Sequence, residues 1–490
     1  VSTTSSTKRG LSGLTGLATA SLLALSACAG GSGDEGDDEI GTSGAMTETD
    51  AGDETATSDA ESTDTATTDA GSETDTGSED ACQNGVVPNL TQEAVYESAE
   101  NGWASAERWR IDSPEIPEDP FFPDERSEQA DQQLEFFDLD PTPGPDEIVL
   151  QYAPGWGSLD ATPVLLVHGA DDPPDRAYAN PNLLGAYGCG DATCPDEGLM
   201  QALVNAGIPV AALVFPNKQG DNYMWIEQIE AAVQVIREQT CADKVDVIGW
   251  SKGAFAARMY ATGMHDDWGE GHGEDVRKLI LIGGPNLGFD YLFRYGSGNN
   301  LSVWPPGTAH GPTPHHEQII NFQTVDRSEY AVYETAGGYY FRGQAQMQSM
   351  WVDDYPLPLF ANSGLGPYAV VDSLSTYWGE DAYAGTTAVG KGIEFTIDQG
   401  SVVEEMVEMG IPDTIQTYLL CGEVQSALDY MVGFPNEISG PSDGVVFVDS
   451  CAAPDGIGQL GEAAVLEGVN HLELGWEPTA LETMIGWLQQ

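Results

Sequence analysis

The pentapeptide Gly249-Trp250-Ser251-Lys252-Gly253 sets one hydroxyl between two glycines. Where a strand gives way to a helix, a Gly-x-Ser-x-Gly run makes a tight turn that exposes the serine as a nucleophile, and the glycines remove the bulk such a turn excludes. The flanks supply that context: Val245–Trp250 is a short apolar strand, and Gly253–Met264 reads as a helix. The helix N-terminus beneath the hydroxyl would favour developing negative charge. A serine hydroxyl is barely ionised at neutral pH and needs a base. Seven histidines are available: His168, His265, His272, His310, His315, His316 and His471. In the chain order serine, acid, histidine, the base follows the last strand. Only His471 lies beyond residue 316, and the apolar stretch Ala463–Leu466 before it reads as that strand. The acid belongs between the two, after the strand candidate Thr417–Leu420. Asp443, in the turn-forming run Gly440-Pro441-Ser442-Asp443-Gly444, lies 28 residues before His471. There it could hold the imidazole tautomer and stabilise the imidazolium; Asp429 and Asp449 are its competitors. Two backbone donors are also required where a negative oxygen would form. The amide of Lys252 directly follows the serine, and Ala170 is the candidate after the apolar run Val164-Leu165-Leu166-Val167-His168-Gly169. His168 itself reads as a structural loop residue.

These residues need a frame, and the pattern of the chain supplies one. Glu147–Ala153, Pro163–Val167, Pro209–Phe215 and Lys278–Ile282 read as further strands. Gly198–Ala206 reads as a helix. So does Tyr223–Gln239, where Trp225, Ile226, Ile229, Ala232, Val233 and Ile236 repeat at helical spacing. Strands alternating with helices predict an α/β fold with a mostly parallel sheet covered on both faces.

Taken as a set, Thr162-Pro163-Val164-Leu165-Leu166-Val167-His168-Gly169, Gly249-Trp250-Ser251-Lys252-Gly253, Ser442-Asp443-Gly444-Val445 and Asn470-His471-Leu472 resemble bacterial secreted lipases of the α/β-hydrolase superfamily. They are also similar to the extracellular polyhydroxybutyrate depolymerases related to those lipases. The resemblance spans about residues 147–490. It implies an α/β-hydrolase fold and hydrolysis of carboxylic esters through an acyl-enzyme, with Ser251 attacking and His471 shuttling the proton. Two positions depart from it. Trp250 stands where many such lipases have His, and Lys252 where Gln or Met is common. Both leave the three catalytic candidates intact and bear on the acyl pocket. Three other readings stay open: a polyester depolymerase, acyl transfer to an acceptor other than water, and a non-catalytic surface-binding lipoprotein on the same scaffold.

From about Phe289 to Gly400 the alternation breaks, and aromatics crowd the chain, Phe289, Tyr291, Phe293, Trp304, Tyr339 and Trp351 among them. A segment inserted there is expected to lie over the active-site edge as a cap or lid, and its apolar character suits a substrate with an apolar acyl part. The same aromatics could equally be the insert's own core.

Lys8 and Arg9, the apolar stretch Leu11–Ala27 and then Cys28 read as an export signal over residues 1–27. Leu25-Ser26-Ala27-Cys28 resembles the lipobox of bacterial lipoproteins. That implies cleavage before Cys28, lipid on its sulfur and attachment to the membrane through this anchor. Residue 29 is Ala rather than Asp, which points to the outer membrane or surface of a Gram-negative cell. Residues 28–81 read as an acidic, disordered tether. Residues 82–146, Pro-rich and acidic with a candidate helix at Thr91–Arg108, read as an extension packed on the hydrolase body at 147–490.

The formal net charge is −62. Residues 29–81 hold 17 of the 79 acidic residues and no Lys or Arg, so the rest of the chain is acidic too. Nucleic acid is therefore an unsuitable partner. The surplus fits a saline habitat, where salt screens self-repulsion, or plain solubility. A monomer is expected. Without Cys28, six cysteines remain, an even number that suits disulfides in an exported protein. The pairings expected are Cys421–Cys451, bracing the Asp443 loop, Cys189–Cys194 as a small local ring, and Cys82–Cys241 by elimination. No cofactor is required by this chemistry. The acidic-histidine runs at 265–275 and 310–316 lack fixed ligand spacing, so structural calcium stays an unsupported option and no metal site is assigned.

Overall fold

The computed structural model describes residues 87–490 apart from 114–115, 122–130, 159–160, 185–193, 267, 270–273, 295–311, 321–322, 358–360, 363–369, 372–376, 380–387, 427 and 432–435. The export signal, Cys28, the tether and Cys82 lie outside the described residues, as do Cys189, His272, His310 and Trp304. Among the described residues no helix is long and apolar enough to cross a membrane.

Nine strands form one sheet in the order β1-β2-β3-β5-β4-β6-β7-β8-β9. They are β1 (Leu90–Tyr96), β2 (Ser105–Ile111), β3 (Glu147–Tyr152), β4 (Val164–Val167), β5 (Val210–Val214), β6 (Val245–Trp250), β7 (Val276–Ile282), β8 (Ile411–Glu423) and β9 (Ile457–Glu467). The six strands from β5 to β9 are mutually parallel, while β1, β2 and β3 pair antiparallel and β3 meets β5 antiparallel. Every side chain of β4, β5 and β6 is buried, as parallel strands covered on both faces require.

Alternation along these strands divides the core in two. Leu165, Val167, Leu213 and Val247 pack with Trp225 and Ile229 of α3 (Asn222–Thr240) and Phe255 of α4 (Lys252–Thr262). Val164, Leu166, Ala212 and Ile248 pack on the other face with Leu203 of α2 (Leu199–Asn205) and Trp487 of α9 (Pro478–Gln489). The helix α3 starts at Asp221, whose carboxylate accepts the Tyr223 N–H at 2.9 Å, and ends at Cys241 in the left-handed region. Strand order, parallel crossovers and the serine turn after β6 define the α/β-hydrolase fold, here with an extra antiparallel strand, β1, at one edge.

The expected helix at Thr91–Arg108 is not formed. That run is the β1–β2 hairpin, continued by the β2–β3 ladder. Asn101 and Gly102, both at positive φ, lie in the connection between the two strands. Pairing on β3 also lets β2 bury Ala106 and Trp109, a tertiary gain that outweighs local helix propensity. The hairpin connection and the helix α1 (Asp131–Phe136) both reach the body through one buried carboxylate. Asp175 accepts from Asn101 Nδ2 at 2.9 Å, Gln133 Nε2 at 2.7 Å and Gln151 Nε2 at 3.1 Å. Gln133 lies just inside α1.

The chain between β7 and β8 carries α5 (Tyr291–Arg294), α6 (Arg342–Gln346), α7 (Gly392–Gly400) and α8 (Val403–Met409). It also forms a three-stranded sheet from 317–320, 323–326 and 388–389. Phe289, Tyr291, Phe293, Phe341 and Tyr377 are buried and pack the interior, while Tyr339 and Tyr340 are half-buried. Cys421 and Cys451 are joined, tying the end of β8 to the helical turn Val448–Cys451. Cys194 and Cys241 are each disulfide-bonded, and the cysteines paired with them on sequence grounds lie outside the described residues.

Candidate active site

Ser251 joins β6 to α4 with φ 57° and ψ −123°, a conformation that costs a non-glycine residue about 1–3 kcal/mol. The neighbouring glycines make it possible. A Cβ on Gly249 would stand 2.6 Å from the Gly253 carbonyl oxygen, and one on Gly253 would collide with the carbonyl oxygens of Val167 and His168. The strain is held by packing on both sides. Trp250 is 2% exposed, and residues Lys252 to Ala261 of α4 are all buried. The Ser251 N–H donates to the Ile282 carbonyl at 2.9 Å, fixing the turn to the end of β7.

The structure brings Asp443 and His471 together. His471 Nδ1 lies 2.7 Å from Asp443 Oδ2, and the His471 N–H donates to the Asp443 carbonyl at 2.8 Å. The other carboxylate oxygen accepts the Val445 and Val446 N–H groups at 2.9 and 2.8 Å. A carboxylate accepts only, so the imidazole proton sits on Nδ1 and Nε2 is left basic. The competitors serve elsewhere. Asp429 caps an exposed turn by accepting from Gln425 and Ser426, and its hydrogen bonds to Ser426 hold its carboxyl below the usual range. Asp449 accepts from the Tyr355 hydroxyl.

Gly283, which follows the carbonyl that anchors Ser251, lies directly against the imidazole. A Cβ there would be 3.0 Å from His471 Nδ1 and 3.2 Å from Asp443 Oδ2. The ring and the serine turn are thus neighbours across one peptide, and Trp250 braces the pair by donating Nε1–H to the His471 carbonyl at 3.2 Å. Ser251 is half-buried, and its hydroxyl makes no hydrogen bond among the described residues. Such bonds commonly tighten only when substrate is bound. Sequence reasoning missed Gly283; the only signal was a Gly-Gly pair directly after a strand.

The loop after β4 forms the opposite wall. A Cβ on Gly169 would stand 3.0 Å from Ser251 Cβ, so only glycine lets this loop come so near. His168 is fully buried, between Phe215 at 5.0 Å and Trp225 at 5.9 Å. Burial pushes its imidazole down to about 3, so it stays neutral. Its Nδ1–H donates to the Gly169 carbonyl at 2.8 Å and its Nε2 accepts the Phe215 N–H at 3.4 Å. A trans peptide points its N–H opposite to its C=O. Turning the Gly169 carbonyl onto His168 therefore turns the Ala170 N–H away from that ring. The Lys252 N–H belongs to the first turn of α4, where backbone donors have no partner within the helix.

The Lys252 side chain, which stands where Gln or Met is expected, is 1% exposed, with Nζ 2.9 Å from the Trp225 ring centroid. The remaining described histidines lie apart. His265 bonds an exposed backbone carbonyl, His315 the Thr313 hydroxyl and His316 the Tyr333 hydroxyl. Among the described residues no group of three or more His, Cys, Asp or Glu is arranged to hold a metal ion.

No family model matches the chain, and no curated protein matches it. Among solved structures, a mature lipase from Bacillus licheniformis is similar at 12% identity, with 67% of this chain and 92% of that one covered and a TM-score of 0.35. A thermostable carboxyl esterase from Bacillus coagulans is similar at 13% identity over 71% of this chain and 94% of that one, TM-score 0.33. A putative lipase from Sulfolobus solfataricus is similar at 14% identity over 79% and 94%, TM-score 0.35.

Proposed function

We propose that this protein is a serine hydrolase of carboxylic esters. The observation that carries the reading is the buried Asp443–His471 pair, 2.7 Å apart and laid across Gly283 from a serine held at positive φ. In this reading Ser251 Oγ attacks the acyl carbon while His471 Nε2 takes its proton, and Asp443 stabilises the imidazolium. The amides of Lys252 and Ala170 hold the negative oxygen. Collapse of the tetrahedral intermediate breaks the ester bond, and His471 returns the proton to the leaving alcohol. Water, activated by the same imidazole, then releases the acid from Ser251.

The substrate we propose is an ester with an apolar acyl part. A fluorophosphonate probe is expected to label the wild type and not Ser251→Ala; an unlabelled wild type overturns the enzyme reading. A panel of p-nitrophenyl esters run beside polyhydroxybutyrate granules then separates the ester classes. Turnover of granules alone would replace the lipase or esterase reading with a polyester depolymerase.

A further inference from the structure

Asp290 and Arg294 stand at the root of the insert, yet both are withdrawn from water, at 1% and 0% side-chain exposure. The guanidinium grips Asp290 as a fork, Nε to Oδ1 at 3.0 Å and Nη2 to Oδ2 at 2.7 Å. Its Nη1 donates to the Tyr355 carbonyl at 2.7 Å, and its Nε also lies 3.2 Å from Oε2 of Glu437, which is equally buried. Asp290 Oδ2 accepts further from the Tyr377 hydroxyl at 2.8 Å and the Trp351 N–H at 3.2 Å. One guanidinium and two carboxylates are thus enclosed together. Removing the guanidinium would leave two buried carboxylates without a counter-charge, so Arg294 holds the set together.

The far end of this cluster is the turn that carries Asp443. The Glu437 N–H donates to the Gly444 carbonyl at 2.7 Å, and the Glu437 carbonyl accepts the Ser442 hydroxyl at 2.7 Å. Ser442 and Gly444 are the two residues that flank Asp443. Phe447 closes the turn by bridging to Ser442; its ring lies 5.1 Å from Arg294 Cζ and stacks on Tyr355 at 4.2 Å. Asp443 commits Oδ1 to the Val445 and Val446 amides and Oδ2 to His471. Its direction is therefore set by the turn, and the turn is held by Glu437 and Phe447, both of which rest on Arg294.

We infer that Arg294 is a positioning residue for the Asp443–His471 pair, acting through Glu437 and Phe447. The root of the insert is then a fixed part of the catalytic machinery and not the hinge of a moving lid. This rests on the reading of Asp443 and His471 given above.

The test compares full-chain Arg294→Met/Glu437→Gln with the wild type. The double change removes one positive and one negative charge, so the net charge of the cluster is kept and a shifted pH profile reports geometry. The expected result is a kcat at least about tenfold lower with KM within about twofold. The acid limb of kcat/KM moves to lower pH, because an imidazolium turned from its carboxylate is less stabilised. In an Asp443→Asn background the same double change is expected to cost less than about twofold, since the residue being positioned is gone. If melting curves show the double variant unfolded, Arg294→Lys, which keeps the charge and loses the planar fork, reads the same quantities at smaller amplitude. Wild-type kcat and an unmoved acid limb overturn the inference. So does an equal loss in both backgrounds, which is general destabilisation, or a raised KM at constant kcat, which is a lid latch. Full activity of Asp443→Asn would instead sink the reading of the triad.

Discussion

Replacing Gly283 by Ala tests the site at its tightest point. The residue has φ 52°, where an alanine costs about 1–2 kcal/mol. The added methyl would stand 3.0 Å from Nδ1 and 3.1 Å from Cε1 of His471, against 3.4–4 Å for ordinary contact. The imidazole must then retreat by about half an ångström, or the bond to Asp443 must stretch. A misplacement of about 1 Å costs about a hundredfold in rate, so half of that predicts about a tenfold fall in kcat. KM should hardly move, because the methyl's three nearest atoms all belong to His471 and Asp443. Gly284→Ala is the control. Its methyl would meet Ala254 Cβ at 2.8 Å, with Asn286 and Leu281 next nearest. It should lower the melting temperature and leave kcat near wild type. The assay is steady-state hydrolysis of a p-nitrophenyl ester beside thermal melts of both variants. A Gly283→Ala enzyme that is folded and has unchanged kcat would refute the placement of the imidazole over this residue. Equal kcat losses in the two variants would refute the argument that the loss is local.

The Cys421–Cys451 bond closes a separation of 30 residues that includes Asp443. By chain entropy it should contribute about 3–4 kcal/mol to stability, so the double serine variant should unfold at clearly lower urea; an unchanged midpoint would count against this. His315 is fully buried, and burial pushes its imidazole down to about 3. Below about pH 6.5 the unfolded chain takes up a proton there that the folded chain refuses until about pH 3. Wild type should therefore lose stability relative to His315→Asn by about 1.4 kcal/mol per pH unit on acidification through that window. Urea titrations at pH 7, 6 and 5 measure the difference, and parallel pH dependences would show the ring is not held neutral.

The frame of the molecule was legible because strong local patterns agree with the sheet. Val245–Trp250 has no polar face to offer except Asp246, and that carboxylate is engaged by Arg277. The serine turn was legible because its glycines are required by backbone closeness that leaves a sequence trace. Asp443 and His471 followed from chain order, and the structure adds the bond between them. The hairpin at Leu90–Ile111 was misread because its reward, the ladder to β3, comes from a distant strand that no window of residues contains. For the same reason Arg294, Glu437 and Gly283 were invisible. An arginine in an aromatic run and a glutamate in a loop give no sign that they will meet, and a glycine after a strand gives no sign of the ring above it.

Asp175 has a consequence for what counts as one piece. Two of its three amide partners, Asn101 and Gln133, come from before residue 147, where composition would draw the start of the catalytic body. A chain begun at that point would keep the carboxylate buried beside the loop that faces Ser251 and retain only Gln151 to satisfy it. The composition boundary and the physical boundary therefore differ by some sixty residues. The hairpin therefore travels with the serine.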